Sequence, residues 1–490
     1  MAVAGTWSTG LRVVVTVTCV VVSLVMLAYS AAWQRELAAL MGGGGHHHHR
    51  LHPHGRSESA RGRRDHLGVA AAARTGAVDR GTTHPAVAPR DPDRHHRRHP
   101  HRDGAVLPAR RRCSDARRLR RHECGVQPAE FDHPRQRRAT TRPGEVGQPP
   151  RVAGTLGHPR VRGPELRVPR LDADELTAAN GTPAKDPIRV YAGLETAEDP
   201  DARMDVVIDE LERTGAFQRK VLVVIPTTGT GWVNPTAAQA IELVHNGDTA
   251  LVASQYSFLP SWISFLADRE KAAEAGKKLI DRVHERWLQE PEATRPKLLV
   301  YGESLGTQAG EGAFDTLSDI RQTVDGVLWV GPPNSNRLWG QLIQRRDPGT
   351  PEVDPEYSAG LVVRFADDSA DMVDDTGEWL SPRILYVQHP SDPVVWWSPD
   401  LAFTRPDWLK EPPGEDRSPS MKWFPFVTFW QVSADLTNAA GVPDGHGHNY
   451  GTLVLDGWIT VAQPEGWTPV DTERVRSTLE SLAGTEGPEK

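Results

Sequence analysis

Lys297-Leu298-Leu299-Val300-Tyr301-Gly302-Glu303-Ser304-Leu305-Gly306 decides how the acidic C-terminal part of the chain is read. An unbroken apolar run suits a strand covered on both faces, as in a parallel sheet. The run enters G-x-S-x-G and then a helix-forming stretch, and that spacing has a steric cause. Ser304 must sit on a strained strand-to-helix turn if its hydroxyl is to project from the sheet's C-terminal edge. Side chains two positions before and after would meet neighbouring backbone, so Gly302 and Gly306 occupy those places. The Leu305 N–H, at the helix start, then faces a developing oxyanion. Without the flanking strand and helix, the same five residues would be an incidental turn.

Working outward, the same alternation repeats. Ile188 to Tyr191, Val221 to Ile225, Thr249 to Ser254, Val327 to Val330 and Ile384 to Val387 read as strands. Met204, Val207, Ile208 and Leu211, residues 235–244, and Ile280, Val283 and Trp287 mark helices with an apolar face. Strands alternating with amphipathic helices imply an α/β architecture, a parallel sheet with right-handed crossovers. The stretch from 171 to 490 exceeds a minimal sheet, and 334–382 and 393–440 are the expected insertions.

A serine nucleophile needs a base, and the base needs an orienting acid, in the chain order Ser, Asp or Glu, His. Asp392 follows the strand ending at Val387, where that acid belongs; Asp367 and Asp368 are reserve candidates. The remaining His are His446 and His448, in Asp444-Gly445-His446-Gly447-His448-Asn449-Tyr450-Gly451. A His bracketed by glycines can sit on a flexible loop and reach Ser304, and His446 is the favoured base because its Gly-His-Gly resembles the surroundings of the catalytic His in several serine hydrolases; His448 is the alternative. Read as a metal site, the pair lacks a third ligand. His389 reads as a structural hydrogen-bonding residue. Thr227-Thr228-Gly229-Thr230-Gly231-Trp232 follows an earlier strand, so the N–H of Thr228 or Thr227 can join that of Leu305 in an oxyanion hole. As a phosphate cradle this loop lacks both the P-loop Gly-Lys-Ser/Thr and the dinucleotide spacing. Residues 393–440 hold Trp396, Trp397, Trp408, Trp423 and Trp430 with Phe403, Phe424, Phe426 and Phe429. They predict either an apolar lid beside the site or a small core of the insertion's own.

The net charge of −7 averages two unlike regions. Residues 42–170 carry 28 Arg, no Lys and 12 acidic residues, for +16, whereas 171–490 carry 27 basic and 51 acidic residues, for −24. Cys19, Cys113 and Cys124 all precede residue 171, which excludes a disulfide framework or Cys-ligated metal in the acidic part. Its charge also argues against nucleic-acid binding there. Val13 to Trp33 carries no formal charge and is long enough for a transmembrane helix within a segment 1–41, with Trp7 and Trp33 as interfacial anchors. The competing reading is a signal peptide cut near Ala28-Tyr29-Ser30. Residues 42–170 lack Lys, Asn, Ile, Tyr and Trp and cannot bury enough apolar area to offset chain entropy. The segment is expected to be disordered, or the out-of-frame reading of a GC-rich gene. Its His46 to His49 run reads as a by-product of that composition, and a basic nucleic-acid-binding arm is the remaining reading.

The acidic part resembles the catalytic domain of an actinobacterial alpha/beta-hydrolase family with an N-terminal membrane domain. The resemblance runs from about Leu171 to Val461. It rests on residues 226–232, Tyr301 to Gly306, Gly331-Pro332-Pro333-Asn334-Ser335-Asn336, His389-Pro390-Ser391-Asp392-Pro393 and Gly445-His446-Gly447-His448. It implies an alpha/beta-hydrolase fold, Ser304, Asp392 and one of the two His as a triad, and esterase, lipase or thioesterase-like chemistry. Relatives would continue with further apolar spans where this chain has 42–170. The expectation is therefore a serine hydrolase at the cell membrane, acting on a small-molecule or lipid acyl ester and needing no metal or organic cofactor. The alternative is a non-catalytic, membrane-tethered binding module on a hydrolase scaffold.

Overall fold

The structure, a computed structural model, describes residues 9–42, 170–259, 269–373 and 377–485. The expectations for the basic stretch, Cys113, Cys124 and His46 to His49 included, lie outside those residues apart from its terminal Gly42 and Arg170. In chain order the elements are α1 (Thr9–Gly42), α2 (Ala173–Asn180), β1 (Ile188–Ala192), α3 (Pro200–Thr214), β2 (Val221–Pro226), α4 (Pro235–Val244), β3 (Thr249–Ser254), α5 (Arg269–Trp287) and β4 (Lys297–Glu303). There follow α6 (Leu305–Glu311), α7 (Leu317–Thr323), β5 (Gly326–Val330), α8 (Arg337–Gln344), β6 (Val363–Ala366), α9 (Ser369–Val373), β7 (Arg383–Val387), α10 (Pro393–Trp396), α11 (Val427–Asp435), α12 (Leu453–Ala462) and α13 (Pro469–Thr485).

The seven strands form one parallel sheet in the order β1-β3-β2-β4-β5-β7-β6. Alternate residues go to opposite faces. Leu222, Val224, Leu298, Val300, Val327 and Trp329 join one core, and Val223, Ile225, Leu299, Tyr301, Leu328 and Val330 the other. Crossovers toward the β6 edge run through α3, α5, α6 with α7, and α8, all on the first core. The two that step back, from β2 to β3 and from β6 to β7, run through α4 and α9 on the second. A single hand of crossover requires that segregation. Chain direction therefore diverges after the neighbouring strands β2 and β4, and the crevice between their C-terminal ends is where such sheets bind ligands.

Helix starts follow local chemistry. Asp199 and Asn234 accept hydrogen bonds from the N–H groups of Ala202 and Ala237, each followed by a proline at the first helical position. Two expectations change. Residues 334–382 are not simply an insertion, because they contain the edge strand β6, only four residues long. The aromatic residues of 393–440 do not form a small core of the insertion's own. Trp396, Trp397 and Trp408 are buried in the first main core, whereas Phe403, Phe426 and Trp430 are exposed. Helix α1 is long and apolar enough over Thr16–Leu37 to cross a membrane, which a signal sequence would also be.

Candidate active site

Ser304 follows β4 at φ 55° and ψ −126°, a conformation that L-residues avoid. Its N–H donates to Val330 O at 2.9 Å, and its carbonyl accepts from Thr307 N–H at 2.9 Å. The glycines around it answer to measured spacing. A Cβ on Gly302 would lie 2.7 Å from the Gly306 backbone, and one on Gly306 would lie 2.5 Å from Pro226 O. Real Cβ contacts do not come that close, so both positions require glycine. The second contact also sets the loop after β2 against the start of α6.

In that loop Thr227 Oγ1 donates to Ser254 O at 2.7 Å, and Thr228 O accepts from Gly231 N–H at 2.9 Å. Both threonines are buried. The loop's far end is tied to the elbow by Glu303, which accepts from Asn234 Nδ2 at 2.8 Å and from the Tyr301 hydroxyl. Burial pushes the Glu303 carboxyl up, against the pull of those donors.

Asp392 caps α10, accepting from Val394 N–H at 2.8 Å. It is fully buried and takes two further donors, His448 Nδ1 at 2.7 Å and Tyr450 Oη at 2.8 Å. Burial alone would raise its pKa, but the charge and hydrogen bond of His448, with Tyr450 and Val394, hold it below the usual carboxylate range. Burial would likewise lower the His448 pKa, yet Asp392 outweighs it and holds the imidazole above its ordinary value. A carboxylate only accepts, so Nδ1 carries the proton and Nε2 is left as the basic nitrogen. Nε2 is buried and makes no hydrogen bond among the described residues. The ring lies against Gly331, the residue after the carbonyl that holds Ser304. A Cβ there would fall 2.5 Å from His448 Cε1.

The partner of Asp392 is thus His448, the alternative candidate, and not the favoured His446. His446 Nδ1 stands 3.6 Å from Asp416 Oδ2. Gly447 N–H donates to Ser391 Oγ at 2.8 Å, and Ser391 in turn donates to Asp416. Those anchors direct His446 toward Asp416 and the alternate residue, His448, toward Asp392. His389 has the structural part expected of it: its ring stacks on Tyr450 at 4.1 Å, and Nδ1 lies 2.9 Å from Gly447 O. The reserve acids are elsewhere. Asp367 and Asp368 follow the edge strand β6, where Asp368 accepts from Ala370 N–H at 2.7 Å and Asp371 N–H at 3.0 Å. Burial and Asp371 push Asp367 up to about 9. Tyr450 and Asp416 carried no sequence signal of their own, and Gly331 stood out only within the Gly331 to Asn336 motif, with no role attached to it. The adjacency of Tyr450 to the Gly-His-Gly-His run was the nearest thing to one.

A parallel sheet carrying a strained serine at its switch point, with a buried His–Asp pair on neighbouring loops, defines the class of alpha/beta hydrolases. The chain belongs to the alpha/beta-hydrolase family, whose model matches residues 188–475. No curated protein matches it. Among solved structures it is similar to Trichoderma reesei cutinase in complex with a C11Y4 phosphonate inhibitor. The identity is 14%, covering 40% of this chain and 75% of that one, with a TM-score of 0.22, too slight a likeness to bear on function.

Proposed function

We propose that the chain is a membrane-associated serine hydrolase, esterase, lipase or thioesterase-like, acting on an acyl ester. The observation that carries this reading is the buried Asp392–His448 hydrogen bond, with the imidazole packed on Gly331 beside the Ser304 elbow. Ser304 Oγ attacks the acyl carbonyl while His448 Nε2 takes its proton. Asp392 holds the imidazole and offsets the imidazolium charge. The N–H groups of Leu305 and Thr228, which have no intramolecular acceptor among the described residues, support the oxyanion. Collapse of the tetrahedral species breaks the ester bond, and His448 returns the proton to the leaving alkoxide. Water then repeats the sequence on the acyl-serine and regenerates Ser304. Support for membrane association comes from α1, whose Thr16–Leu37 stretch is long and apolar enough to cross a bilayer, and none of these steps calls for a metal or organic cofactor.

The test is fluorophosphonate labelling with an ester panel of graded chain length. Labelling that disappears in Ser304→Ala and in His448→Ala, but survives in His446→Ala, supports the reading. Labelling lost in His446→Ala and retained in His448→Ala would restore His446 as base. An unlabelled, inert chain would leave a binding module on a hydrolase scaffold.

A further inference from the structure

Helix α1 and the aromatic segment of the insertion meet. Trp33 is 2% exposed and stacks on Phe424 with ring centroids 6.3 Å apart, and Tyr29 lies 6.0 Å from the same ring. Gln34 Nε2 donates to Asp435 at 3.3 Å, and Ser418 Oγ to Glu36 at 2.6 Å. In the preceding turns Val14, Val17, Val20, Val21, Val22, Leu24, Val25 and Leu27 present apolar side chains outward around most of the helix. A helix that is apolar all round needs an apolar surrounding. Two residues beyond Phe424 an outward aromatic cluster begins: Phe426, Trp430 and Phe403 are 54%, 68% and 72% exposed. Phe403 and Phe426 meet edge to face at 5.0 Å, and Trp430 is one helical turn along from Phe426. Phe426 holds φ 61° and ψ −40°, a backbone state that non-glycine residues rarely adopt. Apart from that contact with Phe403, its ring is turned outward.

We propose that Phe403, Phe426 and Trp430 dock into the surface of the same lipid bilayer that receives α1, so that the insertion beside the candidate active site lies on the membrane and acyl substrate reaches it from the lipid. The occupant follows from continuity. Within Thr16–Leu37 the turns after Tyr29 are covered by the insertion through Trp33, Gln34 and Glu36, so the lipid-facing part ends near Tyr29, whose ring lies 6.0 Å from that of Phe424, and Lys422 Nζ lies 5.9 Å from the Tyr29 ring at headgroup level. Two residues of chain span at most roughly 7 Å. The aromatic cluster therefore begins within the depth to which interfacial side chains insert, about 5–10 Å. The site half of the inference rests on the hydrolase reading above; the docking half does not.

The test places an environment-sensitive fluorophore at Trp430→Cys, and separately at Phe403→Cys, in the full chain with Cys19, Cys113 and Cys124 replaced by Ser. Leu288→Cys, an exposed position at the end of α5, is the control. Each protein is reconstituted in phosphatidylcholine–phosphatidylglycerol vesicles with nitroxide-labelled lipid. Quenching at 430 and 403 at least about threefold greater than at 288, with shielding from aqueous iodide, is the expected result for interfacial insertion. Equal iodide access at all three positions overturns the proposal. So does iodide shielding without lipid quenching, which would mean that a second protein surface covers the patch. Fluorophosphonate labelling of the same samples separates the readings: lipid contact without serine labelling removes the hydrolase and leaves the docking, and serine labelling without lipid contact does the reverse.

Discussion

The Asp392–His448 pair sets a pH dependence whose sign can be worked out. In the proposed mechanism His448 acts as base only when neutral, and Asp392 holds its pKa above that of an ordinary imidazole. Ester turnover should therefore be lost on acidification through a pKa higher than a free histidine's. In Asp392→Asn the raising influence is gone and burial dominates, so the acid limb of the pH–rate profile should move to lower pH while kcat falls roughly 10⁴-fold. A limb that stays in place would mean another group titrates. Gly331→Ala probes the same imidazole from its other face. The new Cβ, at φ +56° and 2.5 Å from His448 Cε1, must push the ring off its position. Misplacement by about 1 Å costs on the order of 10²-fold in turnover, and near-UV circular dichroism should show the fold retained. These residues also mark where sequence reasoning stops. Ser304 and Asp392 stand out because each follows an apolar strand, so place in the fold and residue type agree. Two histidines on one loop look alike in sequence. Their surroundings differ through Ser391, Asp416 and Gly331 with Asp392, contributed by separate segments of the chain.

Among the elements, α6 carries Ser304 at its start and is held by unusually close packing against α5. A Cβ on Gly276 of α5 would lie 2.0 Å from Ala309 O, and one on Gly312 would lie 2.5 Å from Ala273 Cα. The two helices therefore approach backbone to backbone. Gly276→Ala should force them apart at a cost of about 1–3 kcal/mol. That cost would be seen as a lower denaturant midpoint at unchanged slope, together with slower serine labelling. An unchanged midpoint would show that α5 has room to withdraw. Strands and helices with strong periodicity were legible in sequence: the helix expected at 235–244 is α4 itself. The edge strand β6 was not, because Val363, Phe365 and Ala366 with a half-exposed Arg364 make too short a run to stand out from an insertion. Helices α12 and α13 also lacked a forecast, and in α12, where Val454, Leu455, Trp458 and Val461 are all buried, the polar residues Asp456 and Thr460 are too few to set off an apolar face from a polar one.

For the whole molecule, the question is whether the sheet and its helices stand without what precedes them. Every residue of the two main cores lies at or beyond Leu171. Helix α1 adds to the described structure a patch around Trp33 and the polar contacts of Gln34 and Glu36, all made with 418–435. Burial of one such large side chain contributes about 3 kcal/mol, a loss that a sheet covered on both faces can absorb. We therefore predict that a fragment of residues 171–490 unfolds cooperatively and retains the fluorophosphonate-reactive serine, with the division at 171 as a true domain boundary. Its loss should be confined to 418–435. Without Trp33 that segment uncovers Phe424, so hydrogen exchange should quicken there and remain slow in β2, β4 and β5. A fragment that fails to fold, or whose exchange rises throughout the sheet, would show that the first 170 residues contribute to the hydrolase core itself.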